Sequence, residues 1–254
     1  MTSDRAKALI LPLTLVLAFE LWARVSHLQS DSLAPPSDVI VALAGAFADH
    51  SILTATRDTL FAAFAGLAIG SGIGLAFGIA FGLFDRLDRL MEVTVEAIRP
   101  IPSIALLPIA LIALGFGYRM EILIVAFACV WPVLILSRAA VRSIEPRLME
   151  VARVLRLPAA QRIWKIIIPA ALPRIFVAFR LAAGIALIVA VTVEIAINPL
   201  GLGAGIMLAQ QALRPDLMLA YLVWIGVIGY ALNILLVVAQ RRLFGRAALS
   251  GDSP

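Results

Sequence analysis

At 254 residues, with 62% of them hydrophobic and 15% charged and a mean hydropathy of +1.02, the chain falls outside the range of soluble domains and is a membrane protein by composition. The formal net charge of +5 does not point to nucleic acid, because the basic residues sit in short loops between apolar runs instead of gathering on one polar face. The single cysteine, Cys129, excludes an internal disulfide framework and lies in the apolar run IVAFACVW as a small buried residue would.

A lipid-crossing helix takes about 20 apolar residues, so the length accommodates about six spans with their loops and no large soluble domain. The expectation is an all-α polytopic membrane protein, with residues 1–254 forming a single transmembrane domain. MTSDRAK before the first apolar run has the charge order of a signal peptide, but no small-x-small cleavage site follows, so residues 8–25 predict an uncleaved first span. Residues 26–51 predict a polar, Pro-containing external stretch, then an apolar segment too short to cross and lying along the interface.

The second span, 60–84, carries Gly66, Gly70, Gly74, Gly78 and Gly82 at a strict spacing of four. Residues four apart stack along one helix ridge, so a neighbouring helix can approach backbone to backbone and the glycines predict a packing seam. A nucleotide-binding glycine loop is excluded, since no strand precedes them. The third run, 104–117, is short and holds Pro108, with residues 99–103 as an interfacial lead-in. The remaining spans are 122–140, 173–193 and 217–243. No alternation of strand length recurs, which excludes a β-barrel.

Threaded with the N-terminus inside, these spans leave only Arg24, Arg57, Arg119 and Arg214 of the 21 Lys and Arg residues on the outer face. That asymmetry predicts both termini in the cytoplasm of a bacterial inner membrane, with membrane lipid as a partner.

Several chemistries are missing. Lys7 and Lys165 are the only lysines, and neither ends a Gly-x-x-x-x-Gly loop, so any ATP hydrolysis belongs to another polypeptide and no cofactor is expected. His27 and His50 stand alone without metal-ligand spacing, and no metal is expected. No hydrolytic motif occurs, so the chain is expected to be non-catalytic.

The cytoplasmic segment 143–169 is charged, apolar and proline-broken at once. Pro146 suits a first helical turn, and Val151, Val154 and Leu155 form an apolar stripe with Arg153 and Arg156 off it. Leu157 before Pro158 ends that helix, and a second short helix runs from Pro158 through Gln161, Arg162 and Trp164 toward Ile168. Two amphipathic helices meeting at a turn predict a docking knob, since positive charge alone needs neither the stripe nor Trp164.

This segment resembles the cytoplasmic loop signature of permease subunits of binding-protein-dependent ABC importers: Glu-Ala-Ala, three residues, Gly, nine residues, Ile-x-Leu-Pro. Glu150, Ala152, Ile166 and Pro169 match in register, Val151 and Ile168 are conservative swaps, and Arg156 replaces the glycine. A left-handed conformation there costs an arginine about 1 kcal/mol that glycine avoids, and the Leu157-Pro158 pair is an alternative way to set the turn. LAPPSDVIVAL, RPIPSIALLPIALIALGFG, IPAALPRIFVAFRLAAGIAL and VEIAINPLGLGAGI resemble the branch importing nitrate, sulfonates and taurine.

The resemblance implies the type I importer permease fold and partners to match: a cytoplasmic ABC ATPase dimer, a second permease copy in a homodimer, and a periplasmic or lipid-anchored solute-binding protein. It places Glu150 and Ala152 in the coupling element, with Arg153, Arg156 and Arg162 as ion-pair candidates toward the ATPase. ATP-driven closure of that dimer would move the loops and switch the pore between faces. Near the outer end of the fifth span Glu194 is either a pore group, as an ionisable residue at membrane depth, or an interfacial cap. Thr192 and Asn198 are further candidates for the lining, and Arg180 either attracts an anion or snorkels to headgroups. Two other classes remain open from the residues: a self-sufficient secondary transporter, against which no internal repeat is visible, and a scaffold whose basic loop binds anionic lipid.

Overall fold

The computed structural model describes residues 2–26 and 30–245, and every regular element among them is helical. His27 and Arg246, and the side chains of Arg5 and Lys7, lie outside the described residues. Helix α1 (Thr2–Val25) contains the expected first span, and α2 (Pro36–Ala48) is the short apolar segment, with Pro36 in its first turn where a missing N–H costs nothing. Before α3 (Ser51–Leu83), Asp49 accepts the Ser51 N–H at 2.9 Å. The Ser51 hydroxyl and then its N–H hold this exposed carboxyl below its usual pKa.

Then follow α4 (Asp85–Ile98), a 3₁₀ turn (Ser103–Leu106), α5 (Leu107–Leu114) and α6 (Tyr118–Arg142). The cytoplasmic segment supplies α7 (Pro146–Val154), α8 (Ala159–Arg162) and a π-helical turn (Ile163–Ile167), which runs into α9 (Ile168–Ala196). Helices α10 (Gly201–Gln211) and α11 (Pro215–Phe244) complete the chain.

Four described stretches are long and apolar enough to cross a membrane: α3, α6, Ile163–Gln211 and α11. A fifth is a bent pair, α4 with residues 103–114, folded by 80°. This corrects the expected third span. Its approach is a 14-residue helix, which apolarity hides because α4 is amphipathic, and Pro100 and Pro102 then forbid straight continuation. A helix, α10, also stands where an external loop was expected.

Contacts gather the chain into two compact units. In the first, residues 1–59 and 194–228, Arg24 of α1 meets Glu20 at 3.0 Å and Asp38 of α2 at 2.8 Å. Val39 and Ala42 of α2 pack with Ala220 of α11. Phe47 meets Trp224 edge-on at 4.8 Å, and the Trp224 indole N–H donates to Thr56 Oγ1 at 2.9 Å.

In the second unit, residues 60–193 and 229–254, α3 lies against α6 along the glycine ridge. A Cβ at Gly74 would stand 2.5 Å from the Val130 carbonyl oxygen, and one at Gly78 2.6 Å from that of Leu134. At Gly66 and Gly82 it would meet the side chains of Val125 and Val141 at 2.6 Å, and at Gly70 the Ala126 carbonyl. Gly72, off the ridge, has open space. On the α9 side Ala182, Ala183, Ala186 and Ala190 are buried in the same core as Val125, Cys129 and Val133 of α6. Small residues let the backbones approach closely where lipid supplies no hydrophobic drive.

Candidate functional site

The cytoplasmic bend is built outward from a buried base. Ala140, Val141, Ile167, Ala171 and Ile175 form a buried cluster, with Ile144 and Ile163 packed against it. Both ends of the segment are thereby anchored. Within it, Ala152 of α7 is fully buried, whereas Val154 is 83% exposed, Leu155 62% and Trp164 71%. Glu150 and Arg156 are exposed and Arg162 is half-buried, its Nε without a hydrogen-bond partner among the described residues. Helix α7 includes Arg153, whose side chain lies outside the described residues.

Helix α7 stops at Val154, three residues before Leu157, where proline sterics alone put its end. Arg156 adopts φ +48°, and the Leu157 N–H donates to the Ala152 carbonyl at 3.0 Å, the six-to-one bond of a Schellman cap with Pro158 just beyond. The arginine itself takes the left-handed conformation, so the turn is not handed over to Leu157-Pro158. The same cap recurs at Leu213 (φ +53°), where the Arg214 N–H reaches the Ala209 carbonyl at 2.9 Å before Pro215.

The second short helix also differs from expectation. After one turn of α8 the backbone widens into the π segment, and the Ile168 N–H donates to the Ile163 carbonyl. Pro169 follows, with no N–H and a ring that would clash with a regular helix behind it, and the wider turn absorbs this before α9 resumes.

A buried ion cluster that sequence reasoning missed sits at the foot of the bend. Asp88 of α4, 3% exposed, accepts from Arg138 and Arg142 of α6 through one oxygen, each at 2.6 Å, and Arg142 also reaches Asp85 at 3.1 Å. Arg174 of α9 donates to the Ser143 hydroxyl where α6 gives way to the bend. The partners lie some fifty residues apart in the chain, so spacing gave no signal.

The other candidate residues fall at the far end of α9 and after it. Thr192 donates to the Ile188 carbonyl at 2.7 Å within its own helix. Glu194 and Asn198 are 2% and 1% exposed. Glu194 Oε2 accepts the Gly203 N–H at 2.8 Å, and Thr59 Oγ1 accepts the Leu202 N–H at 2.9 Å, so two side chains from other helices satisfy the first amides of α10. Gly201 (φ +88°) lies so close to the Glu194 carboxylate that a Cβ would collide with it. Of the two readings of Glu194, capping is the one with a hydrogen bond on display. Glu194, Asn198 and Gln211 also line a cavity of about 230 Å³. Arg180 is spent on Gln240 at 3.3 Å.

Lipid-length helices that carry an exposed, apolar-tipped, cation-rich bend define a polytopic helical membrane protein. Residues 59–248 match the family of binding-protein-dependent transport system inner membrane components, and the chain belongs to that family. It is therefore a permease subunit of ABC importers of that kind. It is 30% identical over 243 residues to the taurine transport system permease protein TauC of Escherichia coli, covering 91% of this chain and 86% of TauC. It is 30% identical over 172 residues to the nitrate import permease protein NrtB of Synechocystis, covering 68% and 60%. In fold it resembles the inward-facing MetNI methionine ABC transporter, with a TM-score of 0.66 at 20% identity over 73% of this chain and 93% of that one.

Proposed function

We propose that the chain forms, with a second copy of itself, the pore of an importer for a small oxyanion-bearing solute of the sulfonate, taurine, nitrate or bicarbonate kind. An external binding protein delivers the solute, and a cytoplasmic ATPase dimer drives the cycle. The bend 143–169 is the handle. Val154, Leu155 and Trp164 enter a groove of the ATPase, and Glu150, Arg153, Arg156 and Arg162 pair with charges around it, while buried Ala152 and the isoleucine base hold the two short helices rigid. The observation that carries this reading is the exposure of three large apolar side chains at the tip of a segment whose base is buried, since such side chains facing water lack a reason unless something covers them. Glu194 and Asn198 hold the turn before α10 at the outer end, on the side facing the binding protein, and both termini lie in the cytoplasm.

The experiment is co-purification of the chain with its ATPase. Glu150→Ala and Trp164→Ala are each expected to lower the recovered ATPase and solute-stimulated ATP hydrolysis about tenfold, the loss of about 1.4 kcal/mol at an interface hot spot. Wild-type recovery and transport in both variants would overturn the proposal.

A further inference from the structure

The break between α4 and α5 bears a cation that nothing so far uses. Arg99, the residue after α4, donates its backbone N–H to the Val95 carbonyl at 2.9 Å, but its side chain has neither an ion-pair nor a hydrogen-bond partner among the described residues. Four other arginines of this unit are engaged: Arg138 and Arg142 by Asp88, Arg174 by Ser143, Arg180 by Gln240. Arg99 stands on a groove of about 320 Å³ within the second unit, together with Ser103, which opens the 3₁₀ turn on the other side of the break. The wall opposite comes from α6 and α9, with Phe127 and Trp131 in edge-on contact at 5.5 Å and Val189 beyond. The Trp131 indole N–H is buried without a hydrogen-bond partner among the described residues, so this wall holds an unspent donor. No carboxylate lines the groove.

Arg99 and Ser103 flank the break at which α4 and residues 103–114 fold by 80°. A charged group there is expensive in lipid and is kept where it faces a cavity and meets its counter-ion. Broken helices are tolerated at membrane depth where the freed backbone lines such a cavity.

We infer that this groove is an oxyanion transit site, in which the Arg99 guanidinium and the Ser103 hydroxyl hold the sulfonate, nitrate or bicarbonate group of the passing solute. The planar fork of arginine matches two oxygens of a trigonal or tetrahedral oxyanion. Aromatic and aliphatic walls lower the local dielectric and strengthen that contact. One guanidinium and one hydroxyl make a weak site, as a path requires, because a solute bound by a full cage does not leave. The inference rests on the proposed reading of the chain as an importer of such solutes and deepens it by naming where the oxyanion is held.

The test reconstitutes the complete importer, permease with its ATPase and binding protein, in proteoliposomes and measures uptake of taurine, nitrate and bicarbonate together with ATP hydrolysis. Arg99→Gln is expected to cut uptake per ATP hydrolysed about tenfold, the loss of one charge-assisted hydrogen bond. ATP hydrolysis itself persists, Arg99→Lys recovers most of the uptake, and Arg86→Gln, a neighbouring cation off the groove, leaves it unchanged. A merely structural role for Arg99 would lower hydrolysis and uptake together and overturn the inference. So would wild-type coupling in Arg99→Gln. Where Arg99→Gln fails to assemble, Ser103→Ala carries the test, with a several-fold loss expected and unaltered uptake overturning it. A wild-type complex that moves none of the three solutes would instead overturn the proposed function, an outcome separate from failure of the site.

Discussion

Arg156 stands in a backbone conformation that glycine adopts freely and arginine does not. Arg156→Gly should therefore raise the thermal stability of the purified chain by about 1 kcal/mol, read as an upward shift of the unfolding midpoint. It should also weaken ATPase recovery if the guanidinium makes the proposed ion pair. Glu194 gives the opposite expectation. Its carboxylate is buried against the first turn of α10, where the aligned amides favour negative charge, so Glu194→Ala should cost about 2 kcal/mol and Glu194→Gln about half of that. A variant series in which Gln is as destabilising as Ala would mean that the charge, and not the hydrogen bond alone, holds the turn. That Glu194 is special is legible in the sequence, because an acid near the end of an apolar run stands out. Its partners are not, since the amides it holds follow a turn whose direction depends on Gly201 and on Thr59, far back in the chain.

At the scale of helices, the seam between α3 and α6 makes a sharp contrast available within one turn. Gly74→Ala must push against the α6 backbone and should destabilise by about 2 kcal/mol, whereas Gly72→Ala has open space and should be neutral or slightly stabilising. Equal effects at both positions, measured by thermal unfolding, would mean that the two helices do not touch there. The Asp88 cluster offers a second check. Asp88→Asn leaves two guanidinium groups facing a neutral amide, and because Arg138 and Arg142 are 24% and 37% exposed the cost falls below that of a fully buried pair, at about 2 kcal/mol. The glycine ridge was legible because period and residue size are both written in the chain. Helix α4 was not, because it is amphipathic, so a search for apolar runs passes over it. Nor was its bond to α6, which joins residues about fifty positions apart.

For the molecule in its membrane, the proposed orientation is read by labelling from either side. Cys129 is fully buried, so introduced cysteines can be probed without a background from the native thiol. Trp164→Cys should react with an impermeant maleimide only in inside-out vesicles and Gln211→Cys only in right-side-out cells, and the reverse pattern would invert the topology. Between residues 222 and 239 α11 buries Ile228 alone, and the rest is a surface left for lipid or for the proposed second permease copy. The helical, polytopic character of the protein was legible from hydropathy because a bilayer admits so few backbone solutions.

The π turn at residues 163–167 bears on how the bend is aimed. A widened turn accommodates one residue more than a regular helix of the same length. Remove one residue from it and the helix heals with its flanking turns nearly in place, because the residue lost is the one the widened turn had absorbed, whereas the same deletion within the regular part of α9 would swing everything on its N-terminal side by about 100° in azimuth. The bend therefore keeps its heading through the loss of a residue at the π turn and loses it through the loss of one further along the helix.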